Sequence, residues 1–408
     1  MRWPAVAALC GLVMLSCTRV NPSYAQQAEG GAGGTDSVGP STVSSTSSGS
    51  TTESTPATTG TGPTPIDVGA QARCTSLSML VPALEGIVPT DGALEDVPVL
   101  VDLSAFERPI DGDTLRFYLD ETPLPHELER GGTIAWVRLP FLGSDFDVKF
   151  RGLMGPGCDV PASPFEAAEV WSHGYVAVFH FDSAAGDPAA VLDSVHGIPL
   201  VLTDGSTLTE DSGHLGAHLR KTSDAGLVAQ DPRIDLSGPT NLTALGWVRL
   251  ADGHADVLEW DDGLGFARHR ELLANLPGYR LCAVRGENSA NSSVAQVPFF
   301  NIAQDIAAVE HANLNGESAL DAGPWTMLTG VYDGSQLRFF VDEDEPDPID
   351  TNREPGDDPD DELRVGQWLH GGIDEIRIAS EARSAAWVLV QYLSMTNDLL
   401  EYDDPVTL

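Results

Sequence analysis

Short segments in which apolar and polar residues alternate constrain the fold of this chain more than any other feature. Residues 97–101, 115–119 and 146–150 each carry apolar side chains at every second position. A period of two is typical of β-strands that bury one face. Turn residues such as Asp111-Gly112-Asp113 separate the first two runs. The pattern predicts a small antiparallel β-sandwich over residues 74–174.

The charge of the chain limits its partners. Its 408 residues include 61 Asp and Glu against 22 Lys and Arg, which gives a formal charge of −39. Such a surface repels phosphate, so nucleic acid and anionic lipid surfaces are excluded as partners. Hydrophobic residues make up 42% of the chain, enough for packed cores. We expect membrane contact only through a lipid anchor at the N-terminus.

Residues 1–25 have the pattern of an export signal. A positively charged start precedes an apolar run at residues 5–15. The sequence MLSC, ending at Cys17, resembles a bacterial lipobox, which predicts lipidation of Cys17 and a lipoprotein at the outer membrane or cell surface. The sequence SYA, ending at Ala25, fits ordinary signal-peptidase cleavage and predicts a secreted protein. Both alternatives predict export.

Residues 26–66 are dominated by Ser, Thr, Gly and Pro, with almost no apolar side chains. A segment of this composition cannot form a core. It is predicted to be a disordered tether between the signal and the first sandwich.

Three cysteines lie beyond the signal. Cys74 and Cys158 flank the first predicted sandwich, and Cys282 lies in the second half of the chain. In an oxidising compartment two of the three can pair. We predict a Cys74–Cys158 disulfide, with Cys282 buried outside it. The alternatives are that Cys282 takes one of the two partners, or that all three thiols stay reduced.

The first sandwich carries a resemblance to a known module. The segments VPVLVDL, DGDTLRFYLDETPLPHELE, AWVRLP and VWSHGYVAVFHF follow one another in order. Together they resemble a bacterial surface domain of unknown function that typically precedes laminin-G-like domains. The resemblance implies a context at the cell surface and no particular chemistry.

The second half resembles a larger all-β domain. The segments YVAVFHFD, TNLTALGWVRL, PWTMLTGVYDGSQLRFFVDE and LRVGQWLHGGIDEIRI resemble the concanavalin A-like, laminin-G-like jelly roll. The resemblance assigns residues 175–400 to this domain and implies two antiparallel sheets, with a concave face able to take an extended ligand. A closing helix is predicted after its cap at Ser384.

One carboxylate in the last jelly-roll strand suggests a metal. Alternation places Asp374 on the same face as Ile376 and Ile378, where an unpaired charge would be very costly. Related jelly rolls hold a structural Ca²⁺ with such an aspartate, and the resemblance makes Asp182 its partner. The alternative is that Asp374 accepts backbone N–H groups without a metal.

Catalytic patterns are missing from the sequence. It contains neither a Gly-x-Ser-x-Gly turn nor a His-Glu-x-x-His motif. Glycoside hydrolysis needs two carboxylates beside a sugar-binding cleft. Glu127 and Glu129 alternate on one strand face, but they lie in the first module and are interpreted as surface charges. We therefore expect no enzyme activity.

Four tryptophans lie in or beside predicted strands, at positions 136, 247, 325 and 368. Core packing is the expected role of this group. Trp368 is the exception, because it neighbours His370 and two glycines in a predicted loop. We predict that Trp368 binds ligand by stacking on a sugar ring.

These observations favour a non-catalytic surface or secreted protein whose jelly roll binds a glycan or an extracellular protein. The alternatives are a glycan hydrolase or lyase on the same fold, and a purely structural envelope protein.

Overall fold

The computed structural model describes much of the chain after the predicted tether. The described residues are 73–408 without 91, 107–109, 130–131, 159–164, 182–189, 203–205, 210–213, 216–217, 223, 235, 237–240, 253–269, 276–277, 285–296, 304–310 and 357–361. The predicted signal, the lipidation site Cys17, the tether and Asp182 lie outside the described residues. The described part falls in one compact unit, 67–408.

The described chain is almost entirely β-structure, which confirms the predicted all-β fold class. The first seven strands are β1 (Thr75–Val81), β2 (Ala93–Asp102), β3 (Arg116–Leu119), β4 (Thr122–Leu124), β5 (His126–Leu128), β6 (Ile134–Gly143) and β7 (Val148–Met154). The following strands are β8 (Tyr175–Phe179), β9 (Ala190–Leu192), β10 (Pro199–Val201), β11 (Ser206–Thr209), β12 (His218–Lys221), β13 (Leu227–Gln230), β14 (Leu242–Leu250), β15 (Arg270–Asn275), β16 (Tyr279–Val284), β17 (Phe299–Ala303), β18 (His311–Asn315), β19 (Trp325–Tyr332), β20 (Gln336–Val341), β21 (Ile349–Asp350), β22 (Glu362–Val365) and β23 (Gly371–Ala379). Helix α1 (Ala385–Met395) and strand β24 (Glu401–Thr407) close the chain, and short 3₁₀ turns span Leu103–Phe106 and Ala167–Trp171.

The first sandwich packs a five-stranded sheet, in the order β24-β1-β7-β3-β4, with a three-stranded sheet, β2-β6-β5. Strand β7 shows the predicted alternation, because Val148 and Phe150 are buried while Lys149 and Arg151 are exposed. Strand β24 was not anticipated from the sequence. It brings the C-terminal end of the chain back to pair with β1.

A disulfide joins Cys74 and Cys158, as predicted, with their Cα atoms 4.5 Å apart. It lies at the end of the β1–β7 ladder, where Thr75 pairs with Met154. Cys282 in β16 is buried and lies outside the disulfide. The bond therefore ties the start of β1 to the segment that leaves β7.

The second sandwich contains two large antiparallel sheets. One has the order β18-β17-β16-β15-β22-β13-β10-β9, and the other has the order β11-β12-β23-β14-β19-β20-β21, with β8 also paired to β23. The predicted hairpin forms between β19 and β20, where Gly334 has a φ of +89° and Asp333 Oδ1 accepts the backbone N–H of Gln336. Central strands β14 and β19 are buried on both faces, because the β14-containing sheet is covered on its outer side as well.

The cover of this outer face comes from the first sandwich and helix α1. Trp136 of β6, Trp247 of β14 and Val388 of α1 belong to one buried apolar cluster. Ser384 Oγ caps the helix by accepting the N–H of Trp387 at 3.2 Å, as predicted. The two sandwiches therefore share a buried layer. Among the described residues no helix is long and apolar enough to cross a membrane.

Candidate functional site

A β-bulge in β23 determines which side chains face the shared layer. Leu245 of β14 pairs with Arg377, whereas Trp247, two residues on, pairs with Asp374. One extra residue on β23 is therefore accommodated, and Glu375 has a φ of +51° there. A bulge of this kind interrupts the alternation of a strand and re-aims its side chains.

The bulge makes the predicted orientation of Asp374 wrong. Ile373, Ile376 and Ile378 pack into the core between the two large sheets. Asp374 pairs with Trp247, whose side chain belongs to the shared layer. Asp374 therefore lies on the outer face, opposite Ile376 and Ile378, because simple period-two counting does not hold across a bulge.

Asp374 is buried and satisfied by backbone donors. Its Oδ2 accepts the N–H of Leu215 at 3.2 Å, and its Oδ1 accepts the N–H of Glu375 at 2.9 Å. Burial, together with the charges of Glu375 and Glu129, raises the pKa of Asp374 well above its usual value. These hydrogen bonds are the ones predicted by the alternative in which Asp374 accepts backbone N–H groups. Its proposed partner Asp182 lies outside the described residues.

The calcium hypothesis predicts a measurable effect on stability. If Asp374 and Asp182 hold a structural Ca²⁺, chelation should lower the melting temperature and added Ca²⁺ should restore it, because a ligand that binds only the folded state stabilises it. A thermal melt in EDTA, repeated with excess Ca²⁺, measures this directly. Identical melts under both conditions would exclude the calcium site.

Three ionised side chains meet beside the bulge. His180, which follows β8, is about 95% buried, and its Nδ1 lies 2.7 Å from Glu375 Oε1. Its Nε2 lies 3.4 Å from Glu127 Oε2 of the first sandwich. The imidazole therefore lies between a carboxylate from each sandwich. We call His180, Glu127, Glu129, Glu375 and Arg377 the junction centre.

Arg377 completes the pairing of Glu375. Its guanidinium donates to Glu375 Oε2 at 2.6 and 3.1 Å, and to Gln391 Oε1 of α1 at 2.7 Å. The guanidinium carbon lies 4.1 Å from the ring centroid of Trp136 and 4.8 Å from that of Trp171. Cation–π contacts of this kind strengthen when water is excluded.

The interpretation of Glu127 and Glu129 as surface charges is wrong. Glu129 is 8% exposed, and its Oε1 accepts the indole N–H of Trp136 at 2.9 Å. The carboxylate of Glu127 accepts the indole N–H of Trp171 at 2.5 Å and the hydroxyl of Ser194 at 2.7 Å. Strand β5 lies beside the second sandwich, where Ser194 and His180 contact Glu127.

The charges of the junction centre stabilise one another. Burial disfavours the imidazolium, but the carboxylates of Glu375 and Glu127 raise the pKa of His180 well above 6.5. Burial likewise disfavours the ionised Glu375, but His180 and Arg377 lower the pKa of this carboxyl to about 2. Glu127 and Glu129 also accept the indole N–H groups of Trp171 and Trp136, which helps to keep these carboxyl groups buried.

A second group of side chains lies on the part of the outer face that is less covered. Arg220 of β12 pairs with Gly372 of β23, Gly372 pairs with Arg249 of β14, and Arg249 pairs with Trp325 of β19. Directly paired residues share one face of an antiparallel sheet. We call these four residues the Trp325 row. Arg220 is exposed, and Arg249 and Trp325 are half-buried.

The indole of Trp325 lies against the sheet because of Gly372. A Cβ on Gly372 would lie 2.5 Å from the indole Cη2 atom, so a larger residue would displace the ring. The guanidinium of Arg249 lies 4.9 Å from the centroid of Trp325 and donates to His218 Nε2 at 3.3 Å. The ring therefore lies against Gly372 and the guanidinium of Arg249.

Further aromatic groups extend the row toward helix α1. His214 stacks on Trp247 at 3.6 Å between ring centroids, and Tyr392 of α1 stacks on Trp247 at 5.9 Å. Burial lowers the pKa of His214 to about 4, so this imidazole is neutral at pH 7. Trp136 and Trp247 are buried, as expected for core residues. Trp325 was also expected in the core, but it is only half-buried.

Trp368, predicted to bind ligand, lies in the turn between β22 and β23. It is half-buried, has a φ of +54°, and donates its backbone N–H to the carbonyl of Asp224 at 2.9 Å. His370 Nε2 lies 3.0 Å from Asp224 Oδ1. The turn precedes Gly372 of the Trp325 row, and stacking by Trp368 stays a prediction.

The chain matches no protein-family model and no curated protein. Among solved structures it is similar to the binding domain of Paraclostridial Mosquitocidal Protein 1, with 12% identity over 54% of this chain and 52% of that one, at a TM-score of 0.40. It is also similar to domain 4 of a GH43 extracellular arabinanase from Geobacillus stearothermophilus, solved with arabinotriose, with 14% identity over 53% of this chain and 98% of that one, at a TM-score of 0.38.

A third similar structure is the botulinum neurotoxin serotype D ligand binding domain in complex with N-acetylneuraminic acid. Identity is 10% over 54% of this chain and 50% of that one, at a TM-score of 0.39. This chain spans about half the length of the toxin binding domains that it matches.

Proposed function

We propose that this chain is an exported, non-catalytic binding protein whose jelly-roll domain binds a glycan. The observation that carries the proposal is the Trp325 row, in which a half-buried indole lies in register with two arginines on an outer sheet face. Carbohydrate sites need a flat apolar surface together with a few well-placed polar groups. The row offers both.

The arginines favour a particular class of glycan. A guanidinium donates two parallel hydrogen bonds to a carboxylate or a related oxyanion. Arg220 and Arg249 flank the same glycine of β23, although acidic residues outnumber basic ones nearly threefold in the chain as a whole. Two cations at one position in so acidic a chain suit a sugar that carries a carboxylate or sulfate group.

The carboxylates of the junction centre support a function without hydrolysis. A glycosidase needs two carboxyl groups open to a sugar. Glu127 and Glu129 are engaged by the indoles of Trp171 and Trp136, and Glu375 is engaged by Arg377. In this arrangement the carboxyl groups are buried in contacts at the junction of the two sandwiches.

The disulfide supports export. Disulfides persist in oxidising compartments and are rare in the cytosol. The bond between Cys74 and Cys158 fits the predicted signal at residues 1–25. We propose a cell-surface lipoprotein anchored at Cys17, with secretion after Ala25 as the alternative. Metabolic labelling with a radiolabelled fatty acid distinguishes the two.

Substitution of Trp325 tests the binding site. We expect Trp325→Ala to weaken glycan binding by about 2 kcal/mol, which is roughly 30-fold, as for other aromatic anchors. The measurement is retention of the full chain on immobilised acidic and neutral polysaccharides, followed by titration calorimetry on the ligand found. Trp368→Ala tests the second stacking candidate on the same surfaces.

Phe141→Ala is the matched control, because Phe141 is an aromatic residue of the first sandwich that is 42% exposed. Its loss should leave retention unchanged. Retention that survives Trp325→Ala undiminished would contradict the proposed site. If Trp368→Ala abolishes it instead, the binding surface is the turn before β23.

A further inference from the structure

Three donor atoms of the junction centre have the arrangement of metal ligands. The carboxylate of Glu129, the Nδ1 of His180 and the carboxylate of Glu375 all lie within 4.8 Å of one another, and all three residues are buried. His180 Nδ1 lies 2.7 Å from Glu375 Oε1 and 3.9 Å from Glu129 Oε1. Tetrahedral zinc with bonds near 2.1 Å separates its ligand atoms by roughly 3.4 Å. The two distances bracket that value.

Each of the three donor groups has a polar or charged neighbour outside the trio. His180 Nε2 faces Glu127 Oε2 at 3.4 Å, Glu375 Oε2 accepts from Arg377, and Glu129 Oε1 accepts the indole N–H of Trp136. A histidine that binds metal nearly always directs its other ring nitrogen to a carboxylate, carbonyl or water. Glu127 is the carboxylate nearest to Nε2, at an ion-pair distance.

The charge of the junction centre also favours a bound metal ion. The carboxyl groups of Glu127, Glu129 and Glu375 meet here, and Arg377 supplies one guanidinium against them. An uncompensated buried charge is costly, and a divalent cation beside these carboxylates offsets it.

We propose that Glu129, His180 and Glu375 bind one Zn²⁺ between the two sandwiches. Glu129 comes from the first sandwich, whereas His180 and Glu375 come from the second. One imidazole and two carboxylates suit zinc, whose fourth position is then left to water, whereas Ca²⁺ takes six to eight oxygens. On binding, the Nδ1 lone pair forms the bond to zinc and the displaced proton passes to solvent.

Metal content of the untagged full chain tests the site. The protein is unfolded in chelator, refolded, given two equivalents of Zn²⁺, freed of excess by gel filtration and analysed by mass spectrometry for zinc. We expect close to one zinc per chain, and none in Glu129→Gln, which keeps the size of the side chain and loses its charge. Glu127→Gln leaves all three ligands and should weaken zinc binding by about 10–100-fold.

His370→Gln is the control for adventitious binding, because this imidazole lies near the surface beside Asp224; it should keep its zinc. If Glu129→Gln does not fold, the affinity of Glu127→Gln and the anomalous signal of wild-type crystals at the zinc edge decide. A folded wild type without zinc, zinc retained by folded Glu129→Gln, or an anomalous peak away from His180 would overturn the proposal.

Discussion

Arg377→Met is expected to lower the free energy of unfolding by about 3–5 kcal/mol, because it removes one partner of a buried ion pair and leaves the other behind. Both side chains of the Arg377–Glu375 pair are only 1% exposed. The substitution also removes the hydrogen bond to Gln391 and the contact with Trp136. Equilibrium unfolding in urea, followed by tryptophan fluorescence, measures the change.

Arg338→Met is the matched control. Arg338 forms the same two-nitrogen pair with Glu345 at 2.7 and 3.0 Å, but these side chains are 22% and 25% exposed. Exposed pairs contribute about 0–1 kcal/mol, so this variant should unfold almost like the wild type. Equal losses at Arg377 and Arg338 would show that the junction centre adds no special stability. Adding Glu375→Gln to Arg377→Met should recover part of the loss, since the unpaired charge is then gone.

Loss of the disulfide is expected to have the second large effect. The bond joins residues 84 positions apart, and a crosslink of that length stabilises by about 4–5 kcal/mol in the chain-entropy model. The variant with Cys74→Ala and Cys158→Ala should therefore show a lower free energy of unfolding by that amount. Urea unfolding of wild type, reduced wild type and the double variant measures it.

Cys282→Ala is the control that separates the effect of losing the disulfide from the general effect of removing a buried sulfur atom. Its expected cost is about 1 kcal/mol, on the scale of one lost methyl group in a core. If the double variant unfolds no more easily than Cys282→Ala, the disulfide contributes little to stability through restriction of the unfolded chain.

Alternation predicts several strands of the first sandwich, because the pattern survives wherever one face of a strand is buried and the other faces solvent. Strand β7, the β19–β20 hairpin and the capped helix α1 all follow local rules. Strand β24 does not, because its partner β1 lies more than 300 residues earlier in the chain. Pairing over that separation leaves no local signal.

The junction centre fails to appear in the sequence for two physical reasons. Glu127 has the pattern of a solvent-exposed strand face, and it is removed from water by Trp171, His180 and Ser194, all more than 40 residues away in the sequence. Asp374 is predicted on the wrong face of β23 because the bulge at Glu375 inserts one residue and shifts the alternation. Alternation cannot reveal a bulge when every residue of a strand is buried.

One feature of the sequence does point to the Trp325 row. A pair of glycines opens β23, and glycine inside a strand often marks a close approach of another group. Gly372 has that role for the indole of Trp325. The sequence does not say which aromatic ring makes the approach, because the ring belongs to a strand two positions away in the sheet order.

Retention of the full chain on a panel of polysaccharides, with a simultaneous assay for released reducing ends, tests glycan binding without catalysis most directly. We expect wild type to be retained on at least one polysaccharide bearing carboxylate or sulfate groups, to release no reducing ends, and to lose retention with Trp325→Ala. Reducing ends released by the wild type would contradict the account and indicate a hydrolase. Failure to bind any member of the panel would contradict it as well, and would favour a structural role in the envelope.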